Sequence, residues 1–252
     1  MSTAASAPPI QREPELLGQT VVVIGGTAGI GLATARRARS EGADVIVTAR
    51  NPDRLEQVER DLGARGVAAF DANDTAALGR FFDGLDNPID HVMVTAGGPR
   101  YGRLMDMDAD EARSAFSEHL VQVVEVARLA RTHVRPGGAL AFMGGTGARR
   151  PALGSGAMST VAVALPALIA NLALELSPIR VNLIAAGFVD TGLSASILGD
   201  DLDARRDQLR ATLPIRRVVE PADVGALAVQ LMVNRAVTGA TYDIDGGQQF
   251  VE

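Results

Sequence analysis

The chain has 252 residues, a formal net charge of −6 and no cysteine, and 47% of its residues are hydrophobic. That is enough chain for one α/β domain with a full core. The negative balance excludes a general nucleic-acid binder, which needs a basic face, and the lack of cysteine excludes thiol catalysis, disulfides and thiolate-held metal.

Residues 1–17 run through Ser, Ala and Pro into Gln-Arg-Glu-Pro-Glu without the apolar stretch of a secretory signal. They are expected to be a flexible arm ahead of one domain spanning 18–252. Val21–Ile24 reads as the first strand and leads into Gly25-Gly26-Thr27-Ala28-Gly29-Ile30-Gly31, which opens a helix over Ile30–Glu41. Gly25, Gly29 and Gly31, with Thr27 and Ile30 between them, suit a tight turn whose backbone approaches a diphosphate at a helix N-terminus. The alternative is an ordinary glycine-rich turn.

Asp44–Thr48 is the second expected strand, and Ala49-Arg50-Asn51 follows it. An acid here would hold a ribose 2′-hydroxyl; an arginine without that acid suits a 2′-phosphate. Ala49 and Arg50 therefore favour NADP(H), with Asn51 beside them expected at the cofactor, unless Arg50 is only a solvated loop charge. Further along, strands are expected over Val67–Phe70, His91–Thr95, Ala139–Met143, Arg180–Ile184 and Thr241–Ile244. Helices are expected over Asp53–Ala64, Thr75–Gly84, Ala109–Val134, Met158–Leu176, Asp203–Leu213 and Pro221–Met232.

Alternation of this kind means parallel strands joined by helical crossovers. The strands are apolar without clean alternation, as strands covered on both faces are. The fold class is α/β: a single-domain Rossmann-type, doubly wound, seven-stranded parallel sheet with helices on both faces. Its ligand belongs at the carboxyl ends of the strands, where strand order reverses.

No apolar run reaches the roughly 18–20 residues of a membrane span, so no membrane partner and a cytoplasmic location are expected. His91, His119 and His133 show no metal-ligand spacing, and no metal is expected. Val161–Ala170 is apolar on all sides. A sheet covers one face of such a helix, so a partner is needed for the other. A homodimer or homotetramer is expected.

From about Leu17 to Gly247 the chain resembles the short-chain dehydrogenase/reductase family. The glycine turn is similar to the family's Thr-Gly-x-x-x-Gly-x-Gly, with Ile24 in place of Thr. Asp71, with Ala72 beside it, matches the acid that contacts adenine. Val94-Thr95-Ala96-Gly97 is similar to the Asn-Asn-Ala-Gly motif over the adenine ribose, with both Asn lost. Ala186-Gly187-Phe188-Val189-Asp190-Thr191 resembles the nicotinamide-holding stretch, which implies contacts from Gly187, backbone near Val189 and the Thr191 hydroxyl. Asp245-Gly246-Gly247 matches the C-terminal signature.

The resemblance implies an Asn-Ser-Tyr-Lys tetrad, in which Tyr protonates the carbonyl oxygen and Lys lowers the Tyr pKa. Counting back from Leu172–Leu176 puts the Tyr at Met158 and the Lys at Ala162. The Ser falls at Gly145 or Thr146, the Asn at His119. The chain holds no Lys, and neither Tyr101 nor Tyr242 has one four residues on. His119 is the best substitute acid/base, Thr146 can polarise a carbonyl, Tyr101 is a second donor, and Met158 is an apolar wall. Each has a purely structural alternative.

Arg100, Arg103, Arg149 and Arg150 lie on the loops that border the family's substrate entrance and suit an anionic substrate, or are solvated charges. Phe188–Leu213 resembles the mobile lid. Two functions follow: an atypical NADP(H)-dependent oxidoreductase acting on a carbonyl or alcohol, or a non-catalytic NADP(H)-binding redox sensor or assembly subunit.

Overall fold

A computed structural model of the chain describes residues 12–85, 88–150 and 152–251. Seven parallel strands form one sheet in the order β3-β2-β1-β4-β5-β6-β7. They are β1 (Thr20–Ile24), β2 (Asp44–Ala49), β3 (Gly66–Ala69), β4 (Ile89–Val94), β5 (Val134–Gly145), β6 (Arg180–Ala186) and β7 (Thr241–Ile244). The helices are α1 (Gly29–Ser40), α2 (Pro52–Leu62), α3 (Thr75–Asp83), α4 (Ala109–His133), α5 (Gly156–Glu175), α6 (Gly192–Leu198), α7 (Leu202–Thr212) and α8 (Pro221–Val233).

The sheet has a core on each face. Val22 and Ile24 of β1 face Leu78 and Phe82 of α3, Val123 and Val126 of α4, and Leu165 and Ile169 of α5. Val21 and Val23 face the other layer, with Ala35 and Ala38 of α1, Leu55 and Val58 of α2, and Val224 and Ala228 of α8. A strand pleat sends successive side chains to opposite faces. A run of four β-branched residues is therefore what two apolar layers require.

At the N-terminal end Leu16 is fully buried. Its N–H donates to the Glu41 carbonyl at 2.9 Å, while Arg12 and Arg37 pair with the Glu41 carboxylate. Packing thus begins before Gly18. The rest of the expected arm, residues 1–11, lies outside the described residues.

Three sequence expectations are corrected. β5 begins at Val134 rather than Ala139, because Ile89 pairs with Val134 while His91 pairs with Ala139. Four residues of β5, Arg135–Gly138, therefore stand against one of β4, Asp90. Pro136-Gly137-Gly138 makes this bulge: Gly137 has φ +83°, and a Cβ on Gly138 would lie 2.2 Å from the Asp90 carbonyl oxygen. The second correction is α6, which the expected helices do not include, within the lid-like stretch Phe188–Leu213. The Thr191 hydroxyl caps it by accepting from Ser194 N at 3.1 Å.

The third correction concerns membrane length. α5 is a 20-residue helix with a mean hydropathy of 1.9 over 18 residues, enough by length and composition to cross a bilayer. Ser159, Thr160, Pro166 and Asn171 interrupt the apolar run but carry no charge, so the average stays high. Its buried residues Ala157, Val161, Leu165, Ile169 and Leu172 form one stripe at helical spacing against the sheet and α4. On the far side Val163 is 66% and Leu174 79% exposed.

Arg180, at the start of β6, closes the far end of α8. Its guanidinium donates to the carbonyls of Leu231 (2.6 Å), Met232 (2.6 Å) and Asn234 (3.0 Å). These are carbonyls that a helix C-terminus leaves without an intrahelical partner.

His91 is buried on β4, with Nε2 2.8 Å from Gln19 Oε1. Burial, then the cations Arg180, Arg135 and Arg235, lower its pKa from 6.5 to about 3. The folded state holds this ring neutral while the unfolded chain protonates it. Stability is therefore full above 6.5 and falls as pH drops towards about 3. His91→Gln, which keeps a polar side chain but does not titrate, should flatten that fall. Urea midpoints across the window, in both proteins, measure it; parallel curves would contradict the assignment.

Candidate cofactor and active site

β1 is the strand where order reverses. α1 follows it into one layer, while α4, which follows β4, enters the other. The two loops part over the carboxyl end of the sheet and leave a crevice. Gly25 N and Gly26 N donate to the Thr48 carbonyl at 2.8 and 3.1 Å, and Thr95 N and Ala96 N donate to Ile24 O at 2.8 and 3.0 Å. The Thr95 hydroxyl adds a bond to Gly25 O at 3.0 Å.

These contacts leave no room for side chains. A Cβ on Gly25, whose φ is +96°, would lie 2.6 Å from Ala96 N; one on Gly31 would lie 2.3 Å from Gly25 O. α1 then starts at Gly29 with no side-chain cap at Ala28 and no acid in its first turn. Its first N–H groups and the positive end of its dipole face the crevice unopposed by a capping oxygen. Thr27 and Ile30 flank the turn, half-buried. Thr191 Cγ2 is 3.4 Å from where a Cβ on Gly29 would stand. The bare turn and the open helix end fit the diphosphate of a dinucleotide, with Thr191 packed beside Gly29.

At one end of the crevice, Arg50 follows β2, exposed and without an ion pair among the described residues. Asn51 is committed otherwise: its Oδ1 accepts from Arg54 N at 2.9 Å and caps α2. Asp71, after β3, holds its own loop by accepting from Asn73 N at 2.9 Å, and Ala72 beside it is buried. Asn73 Oδ1 in turn accepts from Gln122 Nε2 of α4 at 3.0 Å. Ala96 and Gly97 (φ +101°) pass between this edge and α4.

At the other end, Gly187 is pressed against Asp245 and Gln248; a Cβ there would meet Asp245 Cβ at 2.6 Å. Gln248 Oε1 accepts from Phe188 N at 2.8 Å, and Val189 is buried beside Val219. Asp190, between Val189 and Thr191, takes two bonds from Arg206 of α7 at 2.9 and 2.7 Å. That pairing, joined by Asp203, raises the arginine's pKa well above its ordinary value.

The expected catalytic positions are only partly brought together. Gly145 ends β5, and Thr146, buried, opens a 3₁₀ turn over Thr146–Arg149. Met158, half-buried on the first turn of α5, packs its Cε 3.4 Å from where a Cβ on Gly147 would be. Ala162, one turn on, offers no polar atom. His119 of α4 lies 3.1 Å from the Met143 carbonyl through Nε2. A carbonyl only accepts, so Nε2 carries the proton and Nδ1 has the free lone pair in the neutral ring. Nδ1 is 3.4 Å from the position of a Cβ on Gly97, so the glycine leaves space beside it. Tyr101 is 55% exposed on the loop after β4.

Of the four arginines on the loops bordering the expected substrate entrance, two are paired with acids. Arg149 is held by Asp243 at 2.6 and 2.7 Å, and Arg100 by Glu118 at 2.5 and 3.2 Å. Arg150 donates to the Gln249 carbonyl at 3.3 Å. Partners distant in sequence neutralise the first two charges, which no local pattern reveals. Thr95, Gln122, Ser194 and Gln248 also carry the site and were not singled out as such. Only Thr95 had a sequence signal, as the residue in place of a motif Asn.

Comparison with known proteins bears on this geometry. The family model described as enoyl-(acyl carrier protein) reductase matches residues 25–249. The NADP-dependent (R)-specific alcohol dehydrogenase of Lentilactobacillus kefiri is 30% identical over 254 residues, covering 92% of this chain and 97% of that protein. The cyclic-di-GMP-binding biofilm dispersal mediator protein of Escherichia coli (strain K12) is 28% identical, covering 91% of this chain and 96% of that protein. Among solved structures, BdcA in complex with NADPH superposes with a TM-score of 0.81 at 27% identity, covering 92% and 95% of the two chains.

A methyl at Gly31 has nowhere to go but into backbone. Gly31→Ala is expected to abolish dinucleotide binding and lower the melting temperature, read by NADPH fluorescence titration and thermal unfolding. Gly66→Ala, where a Cβ meets nothing within 4 Å, should bind like the unchanged protein. Normal NADPH binding by Gly31→Ala would refute the assigned cradle.

Proposed function

The chain belongs to the short-chain dehydrogenase/reductase family, and we propose that it is an NADP(H)-dependent oxidoreductase that interconverts a carbonyl and an alcohol with His119 as its acid/base group. The observation that carries this reading is the side-chain-free cradle of Gly25, Gly29 and Gly31 facing Thr191. NADP(H) is the cofactor. Arg50 meets the 2′-phosphate, the first turn of α1 the diphosphate, Asp71 and Ala72 the adenine, Ala96 and Gly97 its ribose, and Gly187, Val189 and Thr191 the nicotinamide. When bound, the nicotinamide supplies or takes the hydride.

The chain's own residues supply position and the proton. Thr146, at the end of β5, lends its hydroxyl to the carbonyl oxygen. In reduction the charged His119 ring gives up the Nδ1 proton, and in oxidation the neutral ring takes one there, with Nε2–H held throughout by Met143 O. Met158 contributes an apolar wall and no proton. Since reduction consumes a proton and oxidation releases one, rising pH slows the first and speeds the second. Tyr101 is a second donor only if its loop closes over the substrate.

The alternative reading, a non-catalytic NADP(H)-binding sensor or assembly subunit, is favoured by Met158 and Ala162 at the proton-donor positions and by a relative named for ligand binding rather than turnover. NADPH oxidation against ortho-quinones and α-diketones, acceptors that need least protonation, separates the two. The enzyme reading expects turnover with NADPH exceeding that with NADH, and a loss of roughly 10²-fold or more in His119→Ala. Full activity in His119→Ala overturns the histidine role. No turnover in protein that binds NADPH favours the sensor.

The protein works in the cytoplasm as a homodimer or homotetramer built on α4 and α5. Leu120, Val121, Val124, Ala164 and Leu168, with Glu125 as the one charged residue, line an open, mainly apolar groove of about 430 Å³ between these helices, beside exposed Val163. Apolar surface on two adjacent helices favours a self-complementary two-fold contact. Val121→Arg combined with Val163→Arg should give monomer in sedimentation at micromolar concentration; an unchanged profile would place the interface elsewhere.

A further inference from the structure

Ser194, one turn into α6, makes three hydrogen bonds that fix the protons around Thr191. Its hydroxyl donates to the Val189 carbonyl at 2.6 Å, and a carbonyl can only accept. The single Ser194 proton is therefore spent there. At the Thr191 Oγ1–Ser194 Oγ contact of 3.1 Å, Thr191 must be the donor. Ser194 N then donates back to Thr191 Oγ1, also at 3.1 Å. One proton and one lone pair of the threonine hydroxyl are now used, and one lone pair remains.

Two further contacts keep this arrangement from rotating. Asp190, between Val189 and Thr191, is gripped by Arg206, and Phe188 N is held by Gln248. Thr191 packs beside Gly29 at the start of α1, its Cγ2 3.4 Å from where a Cβ on that glycine would stand; its contact with the nicotinamide is the reading proposed above, on which this inference rests.

We propose that Ser194 is a positioning residue that makes Thr191 a pure hydrogen-bond acceptor, so that the site selects a nicotinamide bearing an amide N–H₂ and discriminates against rings that carry only a carbonyl at that position. A hydroxyl free to rotate would accept from an amide nitrogen or donate to a carbonyl equally well. One whose proton is already spent can satisfy only a donor, and a carbonyl pressed against it is left unpaired.

The test is binding, without turnover, by calorimetry. Three probes suffice: NADP⁺; its 3-acetylpyridine analogue, in which a methyl ketone replaces the carboxamide; and adenosine 2′,5′-bisphosphate, which lacks the nicotinamide half. The unchanged protein is expected to bind the acetylpyridine analogue about tenfold more weakly than NADP⁺. In Ser194→Ala, Thr191 regains its proton and the ratio should fall to about threefold or less, with the bisphosphate bound as before. In a Thr191→Val background, Ser194→Ala should change the ratio no further.

Equal binding of the two dinucleotides by the unchanged protein overturns the proposal, as does a ratio that Ser194→Ala leaves intact. Equal weakening of all three probes in Ser194→Ala also overturns it, since the serine would then only hold the fold. An unchanged protein that binds the bisphosphate but neither dinucleotide refutes the placement of the nicotinamide, and one that binds no probe refutes the cofactor reading itself.

Discussion

The close backbone approach between the end of β1 and the loop after β4 is the constraint on which the rest of this protein depends. Ile24 O accepts from both Thr95 N and Ala96 N, and Gly25 N shares Thr48 O with Gly26 N. Three strand ends are thereby drawn together at the point where the chain departs into opposite layers. A side chain at Gly25 or Gly31 would force them apart. The result is a crevice floored by backbone, with the open end of α1 beside it. Backbone N–H groups and a helix dipole bind phosphate without titrating.

The surrounding charges do a different task. Arg149 with Asp243, Arg100 with Glu118 and Arg206 with Asp190 each join segments distant in sequence. Solvent screens such pairs, so they contribute little to stability. They set where loops lie: the turn after β5 against the C-terminal segment, the loop after β4 against α4, and the segment after β6 against α7. Arg50, by contrast, is exposed and has no ion pair among the described residues.

The start of α5 follows another logic. Met158 and Ala162 there bear no ionisable group, while polar groups accumulate on other elements. His119 is oriented by Met143 O, and Thr191 by Ser194. In both cases a main-chain carbonyl decides where a side-chain proton sits. Main-chain carbonyls do not titrate, so each fixes which atom of its neighbour carries the shared proton.

Much of this fold was legible in the sequence. Strand–helix alternation, β-branched runs without alternation and the glycine turn give the doubly wound sheet, its two layers and the position of the crevice. The early start of β5 and the helix α6 were not legible. A bulge depends on what the neighbouring strand permits, and a seven-residue helix has too few turns to show a period. The sequence alone also determines that no cysteine or lysine chemistry operates here, since those side chains are missing from the chain. Only the tertiary structure decided which arginines are neutralised, which nitrogen of His119 carries its proton and which way the Thr191 hydroxyl faces. Each depends on a partner three to more than ninety residues away, and proximity of that kind comes from packing rather than from any local pattern of residues.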